Sequence, residues 1–147
     1  MPPAFGKPVK VLFVCLGNAC RSQMAEALAR HIASDVMVAA SAGMTALGIV
    51  PERTREVLAV RGVEMDGQYS KPLRAELKEW ADVVVNITGL PGSSVFSDVP
   101  HKVEDWDISD PFGKDVAMYE LICDEVESRV SDLARRLRQM QAQQKPA

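Results

Sequence analysis

Apolar residues follow two different periods along the chain, and the change of period predicts alternating strands and helices. Residues 9–14 form a nearly continuous apolar run, which is typical of a strand buried on both faces of a parallel sheet. Two further runs, at 36–40 and 81–87, predict strands of the same kind, and residues 102–108 predict a weaker fourth strand.

Helical spacing fills the stretches between these runs. Residues 21–33 carry apolar side chains three and four apart, which predicts a helix. Pro51 predicts the start of a second helix that ends at Arg61, since Gly62 follows. A shorter helix is predicted over 72–80, and a long amphipathic helix over 114–141.

This order of elements predicts the fold class. Alternating strands and helices indicate an α/β protein with a four-stranded parallel sheet flanked by helices on both faces, a flavodoxin-like doubly wound arrangement. No repeat or linker divides the 147 residues, so we expect one domain over 1–147, with flexible ends at 1–7 and 142–147. Ligands of such sheets bind at the carboxyl ends of strands, where Cys15 lies.

Composition narrows the functional classes. The net charge of −3 gives no general attraction to nucleic acid or to anionic membranes, so neither partner is expected. Three cysteines do not fit a secreted disulfide scaffold, and the short apolar run near the amino terminus does not fit a signal peptide. His31 and His101 are far apart and show no zinc spacing. We therefore expect a cytoplasmic protein without a metal or cofactor.

The segment 15–22, CLGNACRS, follows the first predicted strand and contains residues that can bind an anion. Gly17 and Asn18 permit a left-handed backbone, so that successive N–H groups can surround an oxyanion. The helix predicted to begin at Arg21 adds its positive end, and the Arg21 guanidinium can hold two oxygens. The segment therefore predicts a phosphate-binding loop, formed by Leu16, Gly17, Asn18, Ala19, Cys20, Arg21 and Ser22.

The same positive groups favour the thiolate form of Cys15. A thiolate beneath a bound phosphoryl group is an in-line nucleophile, which predicts phosphoryl transfer through a cysteinyl-phosphate. A cysteine at the end of a buried strand is often just a small hydrophobic residue. The combination of strand, cysteine, glycine, asparagine, arginine and helix favours the functional interpretation for Cys15 and Arg21.

Cleavage of a phosphoester also needs a general acid, and the acidic stretch at 103–113, VEDWDISDPFG, offers candidates. Asp110 precedes a proline, which favours an extended loop conformation at the same edge of the sheet as Cys15. Asp105, Asp107 and Asp115 are interpreted as solvated loop acids. Asp110 is therefore the predicted acid.

These segments, together with SAG at 41–43 and DPFG at 110–113, resemble the low-molecular-weight protein tyrosine phosphatases and their relatives, the thioredoxin-coupled arsenate reductases. The resemblance implies that Cys15 is the nucleophile, Arg21 the phosphoryl ligand and Asp110 the acid and then the base. It also implies that Asn18, Ser22 and Ser41 shape the loop and that Cys20 forms a reversible disulfide with Cys15. Phe112 would contact the substrate ring.

Some positions depart from the phosphatase pattern. Gln23 replaces a proline that is common in the phosphatases, and RSQMAEA at 21–27 is closer to the reductases. No aromatic residue occurs at 44–51, where the phosphatases usually have one. The reductases, however, need two relay cysteines after the third strand, and residues 86–96 contain none.

We therefore expect a phosphatase that acts on a phosphotyrosine protein or a small aryl phosphate. Arsenate reduction with a thioredoxin-type reductant, in which Cys20 would resolve the disulfide, is the alternative. A non-catalytic phosphate-binding or phosphocysteine carrier domain is a second alternative, and Arg21 and Asp110 argue against the carrier. The oligomeric state is left open. Cys123 lies on the apolar face of the last helix and is predicted to be part of the core.

Overall fold

The predicted strands form one four-stranded parallel sheet in the order β2-β1-β3-β4. In this computed structural model, residues 6–144 are described. The central strand β1 pairs with β2 on one side and with β3 on the other, and β4 is added beyond β3. The bounds of the strands are β1 Val9–Cys15, β2 Met37–Gly43, β3 Val83–Asn86 and β4 Val103–Asp105.

Helices connect the strands and cover both faces of the sheet, which confirms the predicted doubly wound fold class. Their bounds are α1 Arg21–Ile32, α2 Glu52–Val60, α3 Ala75–Trp80, α4 Gly92–Val95 and α5 Val116–Gln143, with a short 3₁₀ turn at Pro100–Lys102.

Alternate residues of β1 enter two separate cores. Val11 and Phe13 face α1, α2 and α5 and belong to the larger core, where the Phe13 ring packs against Trp106 with centroids 5.7 Å apart. Leu12 and Val14 face the other side and pack with side chains of α3 and α4. This burial on both faces explains why the strand reads as a continuous apolar run.

Three predicted elements are clearly shorter than expected. The third strand, predicted over 81–87, covers Val83–Asn86. The helix predicted over 72–80 begins at Ala75, because Pro72 pairs with Gly43 as an isolated bridge beside β2. The strand predicted over 102–108 covers Val103–Asp105, because a 3₁₀ turn precedes it and the chain leaves the sheet after Trp106. The predictions of helix at 72–74 and of strand at 81–82, 87, 102 and 106–108 are therefore wrong.

Other element bounds also differ from the sequence pattern. β2 extends to Gly43, three residues beyond the predicted end, and α5 runs from Val116 to Gln143. The four-residue helix α4 was not predicted, because a single turn has no apolar period to detect. Of the ends predicted to be flexible, residues 1–5 and 145–147 lie outside the described residues, whereas 142 and 143 belong to α5.

Two of the loop acids have structural partners in addition to solvent. Asp105 accepts hydrogen bonds from the Asn86 side chain at 2.9 Å and from the Gly92 backbone N–H at 3.3 Å. Asp115 is the N-cap of α5 and accepts from the Met118 N–H at 3.0 Å. Within residues 6–144, no helix is long and apolar enough to span a membrane.

Candidate active site

The loop between β1 and α1 is held by the segment that follows β2. The carbonyl oxygens of Leu16 and Gly17 accept hydrogen bonds from the N–H groups of Thr45 and Leu47, at 2.8 and 2.9 Å. A Cβ atom on Gly17 would lie 2.9 Å from the Leu47 side chain, so a larger residue does not fit there without a shift of Leu47. Asn18 adopts a left-handed conformation with φ of 49°.

Backbone donors of this loop are free of protein partners. Among the described residues, none of the N–H groups of residues 16–22 donates to a protein acceptor. Backbone donors in folded proteins are nearly always paired with protein, solvent or a ligand. A cluster of unpaired N–H groups in a turn ahead of a helix therefore provides an anion-binding site, as the sequence predicts.

The Cys15 sulfur lies beneath this loop and contacts one hydroxyl group. Cys15 is 2% exposed, and its Sγ is 2.9 Å from the Oγ of Ser22. The Ser22 oxygen accepts a hydrogen bond from the Asn18 amide at 2.8 Å. The Ser22 proton is therefore available for the sulfur, and such a donor stabilises a thiolate.

A chain of buried groups fixes the direction of these hydrogen bonds. Asn18 also donates to Ser41 at 3.0 Å, and Ser41 donates to a carboxylate oxygen of Glu26 at 2.6 Å. Glu26 is 2% exposed and forms an ion pair with Arg30 at 2.5 Å. Because a carboxylate can only accept, Ser41 must donate to Glu26 and must accept from Asn18.

Two buried glutamines complete this support. The Gln23 amide donates to the backbone and side-chain oxygens of Asn18, at 3.1 and 3.0 Å. Gln68 in turn donates to the Gln23 side-chain oxygen at 2.8 Å. We call this buried polar set the underside of the loop: Asn18, Ser22, Gln23, Glu26, Ser41 and Gln68.

Arg21 is buried and points toward the segment that carries Asp110. It is 4% exposed, its Nη1 donates to the Ile108 carbonyl at 3.0 Å, and its Nη2 is 3.5 Å from an oxygen of Asp110. Its Nε is buried and has no hydrogen-bond partner among residues 6–144. An orphaned buried donor on a fixed cation is suited to bind an anionic oxygen.

Asp110 is the exposed partner of this pair. Its carboxylate is 46% exposed, and one of its oxygens accepts from the Phe112 N–H at 3.0 Å in a turn that begins at the aspartate. The acid is thus fixed by its own turn and by the buried guanidinium, while one side remains open to solvent.

These residues surround one cavity of about 350 Å³. Cys15, Gly17, Ala19, Cys20, Arg21 and Asp110 line it, and its outer edge is mainly apolar. We call this edge the mouth of the cavity, formed by Leu16, Thr45, Leu47 and Phe112.

The other two cysteines are buried. Burial raises the pKa of the Cys20 thiol, which lies 3.5 Å from the Tyr119 hydroxyl. Burial also raises the pKa of Cys123 to about 11. Cys123 is fully buried in α5, which confirms its predicted place in the core.

The structure brings the predicted site residues together. Cys15, Arg21, Asp110, Cys20 and Phe112 line the cavity, and the three predicted supporting residues, Asn18, Ser22 and Ser41, lie behind it with no solvent exposure.

Four residues around the site were not predicted from the sequence: Glu26, Gln68, Thr45 and Leu47. Gln23 was noted, but its structural role was not predicted. One available signal was that the first half of α1 has two more polar residues after Arg21 and Ser22, namely Gln23 and Glu26, next to small and apolar neighbours. No comparable local pattern marks Gln68, Thr45 or Leu47.

Comparisons with known proteins agree with this geometry. The family model for the low molecular weight phosphotyrosine protein phosphatase matches residues 10–144. A glutaredoxin arsenate reductase of Synechocystis sp. is 31% identical, with 84% of this chain and 95% of the relative covered. An arsenate reductase of Bacillus cereus is 34% identical, with 82% and 90% covered.

Solved structures show the same similarity. The YwlE arginine phosphatase from Geobacillus stearothermophilus has a TM-score of 0.85 and 30% identity, with 95% of this chain and 99% of that chain covered. A low molecular weight protein tyrosine phosphatase from T. tengcongensis has a TM-score of 0.77 and 29% identity, with 88% and 99% covered. With the family model matching nearly its whole length, the chain belongs to the low molecular weight phosphotyrosine protein phosphatase family.

Proposed function

We propose that the protein is a cysteine-dependent phosphatase that hydrolyses phosphotyrosine and similar aryl phosphates through a cysteinyl-phosphate. The observation that carries this proposal is the arrangement around one cavity: a buried thiol at its base, a buried arginine with an unpaired Nε, and an exposed carboxylate. Each of these three groups has a distinct task in phosphoester hydrolysis.

In the first step, the loop N–H groups and Arg21 hold the phosphoryl oxygens, and the Cys15 thiolate attacks phosphorus. The sulfur–phosphorus bond forms while the bond from phosphorus to the aryl oxygen breaks. Asp110, in its protonated form, donates a proton to the leaving oxygen. Because this carboxyl lies 3.5 Å from Arg21, it sits beside the place where the phosphoryl group would bind.

In the second step, a water molecule attacks the phosphorus of the cysteinyl-phosphate. Asp110 is now a carboxylate and accepts the proton of that water, and the sulfur departs as a thiolate. The Ser22 hydroxyl, 2.9 Å from the sulfur, donates to that departing thiolate. The products are inorganic phosphate and the original enzyme. A phosphocysteine carrier must retain the phosphoryl group. The proposed enzyme differs because Asp110 activates the water that removes it.

The mouth of the cavity supports an aryl substrate. Leu16, Leu47 and Phe112 are each between 41% and 48% exposed, so their apolar surfaces are available to a planar ring. Among the described residues that line the cavity, Asp110 is the sole carboxylate. A cationic leaving group would therefore find one acidic partner, whereas a tyrosine ring would find several apolar contacts.

Phosphoarginine is a second candidate substrate. The observation in its favour is the similarity to the YwlE arginine phosphatase from Geobacillus stearothermophilus, which extends over 95% of this chain. The chemistry at Cys15 would be the same, and the leaving group would be a guanidine nitrogen. A direct comparison of phosphotyrosine and phosphoarginine peptides decides between these substrates.

Arsenate reduction is a further candidate, favoured by relatives that are arsenate reductases and share 31–34% identity with the chain. A phosphate-shaped site also binds arsenate. A thioredoxin-coupled cycle then needs a further thiol that passes the disulfide to the reductant, and the one cysteine left besides Cys15 and Cys20 is Cys123, which is fully buried in α5. This burial favours hydrolysis. The three free thiols fit a cytoplasmic location, where thiols stay reduced.

The test is to trap the intermediate. The protein is mixed with p-nitrophenyl phosphate and quenched in acid, and its peptides are examined by mass spectrometry for phosphate on Cys15. We expect the wild type to carry phosphate there and the Cys15→Ser variant to lose turnover by at least about 10⁴-fold. The Cys123→Ala variant is the matched control, since that cysteine lies away from the cavity, and it should retain turnover.

Two results would contradict the proposal. Substantial turnover in Cys15→Ser would exclude the covalent mechanism. Arsenate-dependent oxidation of thioredoxin or glutaredoxin by the wild type, without aryl phosphate hydrolysis, would show that the protein is a reductase.

A further inference from the structure

Ser70 lies beside the phosphate-binding loop, and none of the steps proposed above uses it. Its hydroxyl group donates to the Gly17 carbonyl at 3.1 Å and accepts from the Gly48 N–H at 3.0 Å. Both directions are fixed, because a carbonyl can only accept and an N–H can only donate. The half-buried Ser70 therefore joins three separate stretches of the chain: the loop, the residues that follow β2 and the residues that precede Pro72.

The first of these contacts holds the backbone of the loop. The Gly17 carbonyl also accepts from the Leu47 N–H at 2.9 Å, so two donors hold one oxygen. Because a peptide group is planar, fixing the Gly17 carbonyl also fixes the orientation of the Asn18 N–H. Asn18 has a left-handed backbone with φ of 49°, which a residue with a Cβ atom adopts at an energetic cost. The Ser70 hydroxyl thus helps to hold the turn on which the anion-binding shape of the loop depends.

The second contact holds the mouth of the cavity. Leu47 lines the cavity, and Gly48, which follows it, has a left-handed backbone with φ of 80°. Leu47 and Ile49 are 48% and 61% exposed, so burial contributes little to the position of this stretch. Hydrogen bonds must therefore hold it, and the one at Gly48 comes from Ser70.

We propose that Ser70 is a positioning residue, whose hydroxyl holds the phosphate-binding loop and Leu47 in one fixed arrangement. This inference rests on the proposed phosphatase function. The loop binds the phosphoryl oxygens and Leu47 contacts the substrate ring, so a productive complex needs both in place at the same time. Without the hydroxyl, the Gly17 carbonyl keeps only the Leu47 donor, and the Gly48 N–H loses its protein partner.

The first test measures oxyanion binding, which reports on the loop. In Ser70→Ala, the dissociation constant for inorganic phosphate, measured by calorimetry well below the unfolding temperature, should rise about fivefold, the equivalent of one hydrogen bond. Ser70→Thr keeps a hydroxyl group and should stay within about twofold of the wild type. Ser94→Ala is the matched control and should change nothing, since Ser94 is exposed on α4 and does not line the cavity.

Two results of this measurement would overturn the proposal. If Ser70 served only the stability of the fold, Ser70→Ala would lower the unfolding temperature and leave the dissociation constant for phosphate unchanged. If Ser70→Thr bound phosphate as weakly as Ser70→Ala, the hydroxyl group would not be the part of the side chain that matters.

Steady-state kinetics separate this role from that of the acid. Because Ser70 does not act through Asp110, kcat/KM in Ser70→Ala should fall by the same factor with phenyl phosphate, a poor leaving group, and with p-nitrophenyl phosphate, a good one. A loss confined to phenyl phosphate would assign Ser70 to the acid and would overturn its role at the loop.

A double-mutant cycle tests the contact to the mouth. Leu47→Ala should raise KM for a phosphotyrosine peptide in the wild-type background. In the Ser70→Ala background the same substitution should raise KM less, because Leu47 is no longer held against the loop. Equal effects of Leu47→Ala in the two backgrounds would overturn the link between Ser70 and Leu47.

Hydrogen exchange gives a measurement that does not depend on activity. Peptides covering residues 44–50 should exchange faster in Ser70→Ala than in the wild type, while peptides from β1 and β3 should not change. Unchanged exchange at 44–50 would overturn the positioning role. If the wild type hydrolyses neither ester, the proposed function fails, and phosphate binding and exchange still decide whether Ser70 holds the loop and the residues after β2.

Discussion

The two sides of the phosphate-binding loop differ in chemistry and in exposure. The underside is polar and buried, with exposure from 0% for Asn18 to 7% for Gln68, and its groups are joined by directed hydrogen bonds. The mouth is mainly apolar and about half exposed, and Leu47 is held there through a backbone bond to Gly17. The underside holds the loop and the Cys15 sulfur in position for the reaction, whereas the exposed apolar side chains of the mouth can contact the substrate.

This difference has an energetic reason. A buried polar group that loses its partner costs about 1–3 kcal/mol, so the members of the underside depend on one another. An exposed apolar side chain at the mouth can change with little cost to the fold. We therefore expect underside variants to change kcat, and mouth variants to change KM.

The largest effect after loss of the nucleophile is expected at Arg21, which joins the two sides. Arg21→Lys keeps a positive charge but loses the planar pair of donors and the bond to the Ile108 carbonyl. We expect kcat with p-nitrophenyl phosphate to fall about 10³-fold. Near-normal turnover in this variant, checked against its thermal unfolding, would contradict the role given to the guanidinium.

The next effect is expected at Asp110 and depends on the substrate. Asp110→Asn should slow phenyl phosphate about 10²-fold or more, and p-nitrophenyl phosphate much less, because a good leaving group departs without a proton. Asp107→Asn is the control, since this exposed residue does not line the cavity. Rates for a series of substituted phenyl phosphates measure the difference. Leaving-group dependence in the Asp107 variant would mean that the acid has been misassigned.

Cys20 tests the redox role that the family resemblance implies. After peroxide converts Cys15 to a sulfenic acid, attack by the Cys20 thiolate on the Cys15 sulfur would form the disulfide and release hydroxide, which takes a proton from solvent to become water. Because burial raises the pKa of Cys20, its thiol is mostly protonated at pH 7, and the thiolate fraction grows as pH rises. From pH 7 to 8.5 we expect disulfide formation to become about 30-fold faster, in proportion to that fraction.

Peptide mapping of the oxidised protein decides this prediction. Cys20→Ser should form no disulfide and should accumulate more highly oxidised Cys15. A link from Cys15 to Cys123, or a rate independent of pH, would argue against Cys20 as the partner.

Within the underside, the effect should decrease along the hydrogen-bonded chain. Ser22→Ala removes the donor to the Cys15 sulfur and should lower kcat about tenfold. Ser41→Ala acts two bonds further away, through Asn18, and should lower kcat less while it still destabilises the fold, because Glu26 loses a partner. Steady-state kinetics and thermal unfolding of both variants measure this. A larger kcat loss in Ser41→Ala would show that the chain does not act through Ser22.

The underside and the mouth also differed in how well the sequence predicted them. The sheet and the loop were predictable because their signals are local: apolar runs for the strands, and eight consecutive residues for the loop. Asn18, Ser22 and Ser41 were found through the family resemblance. Glu26 and Gln68 were not, because a buried polar group is recognised by its partners, and Gln68 bonds to Gln23 across 45 residues.

The mouth was predicted in part. Phe112 follows Asp110 closely and was named, whereas Leu47 lies beside the cavity because its backbone bonds to Gly17, a contact that no sequence period announces. Element ends were missed for a similar reason, since the pairing of Pro72 with Gly43 is a tertiary contact.

The smallest effect is expected at the mouth of the cavity. It tests whether the mouth side chains contribute to substrate binding and not to the chemical steps. Phe112→Ala and Leu47→Ala should each raise KM for a phosphotyrosine peptide about three- to tenfold, the amount expected for loss of part of an apolar contact, with little change in kcat. For a small substrate such as phenyl phosphate the rise should be smaller, because fewer contacts reach the mouth. Val60→Ala is the matched control, since Val60 is 87% exposed on α2 and does not line the cavity. If the two mouth variants lowered kcat as strongly as Ser22→Ala, the separation between a reacting underside and a substrate-selecting mouth would be wrong.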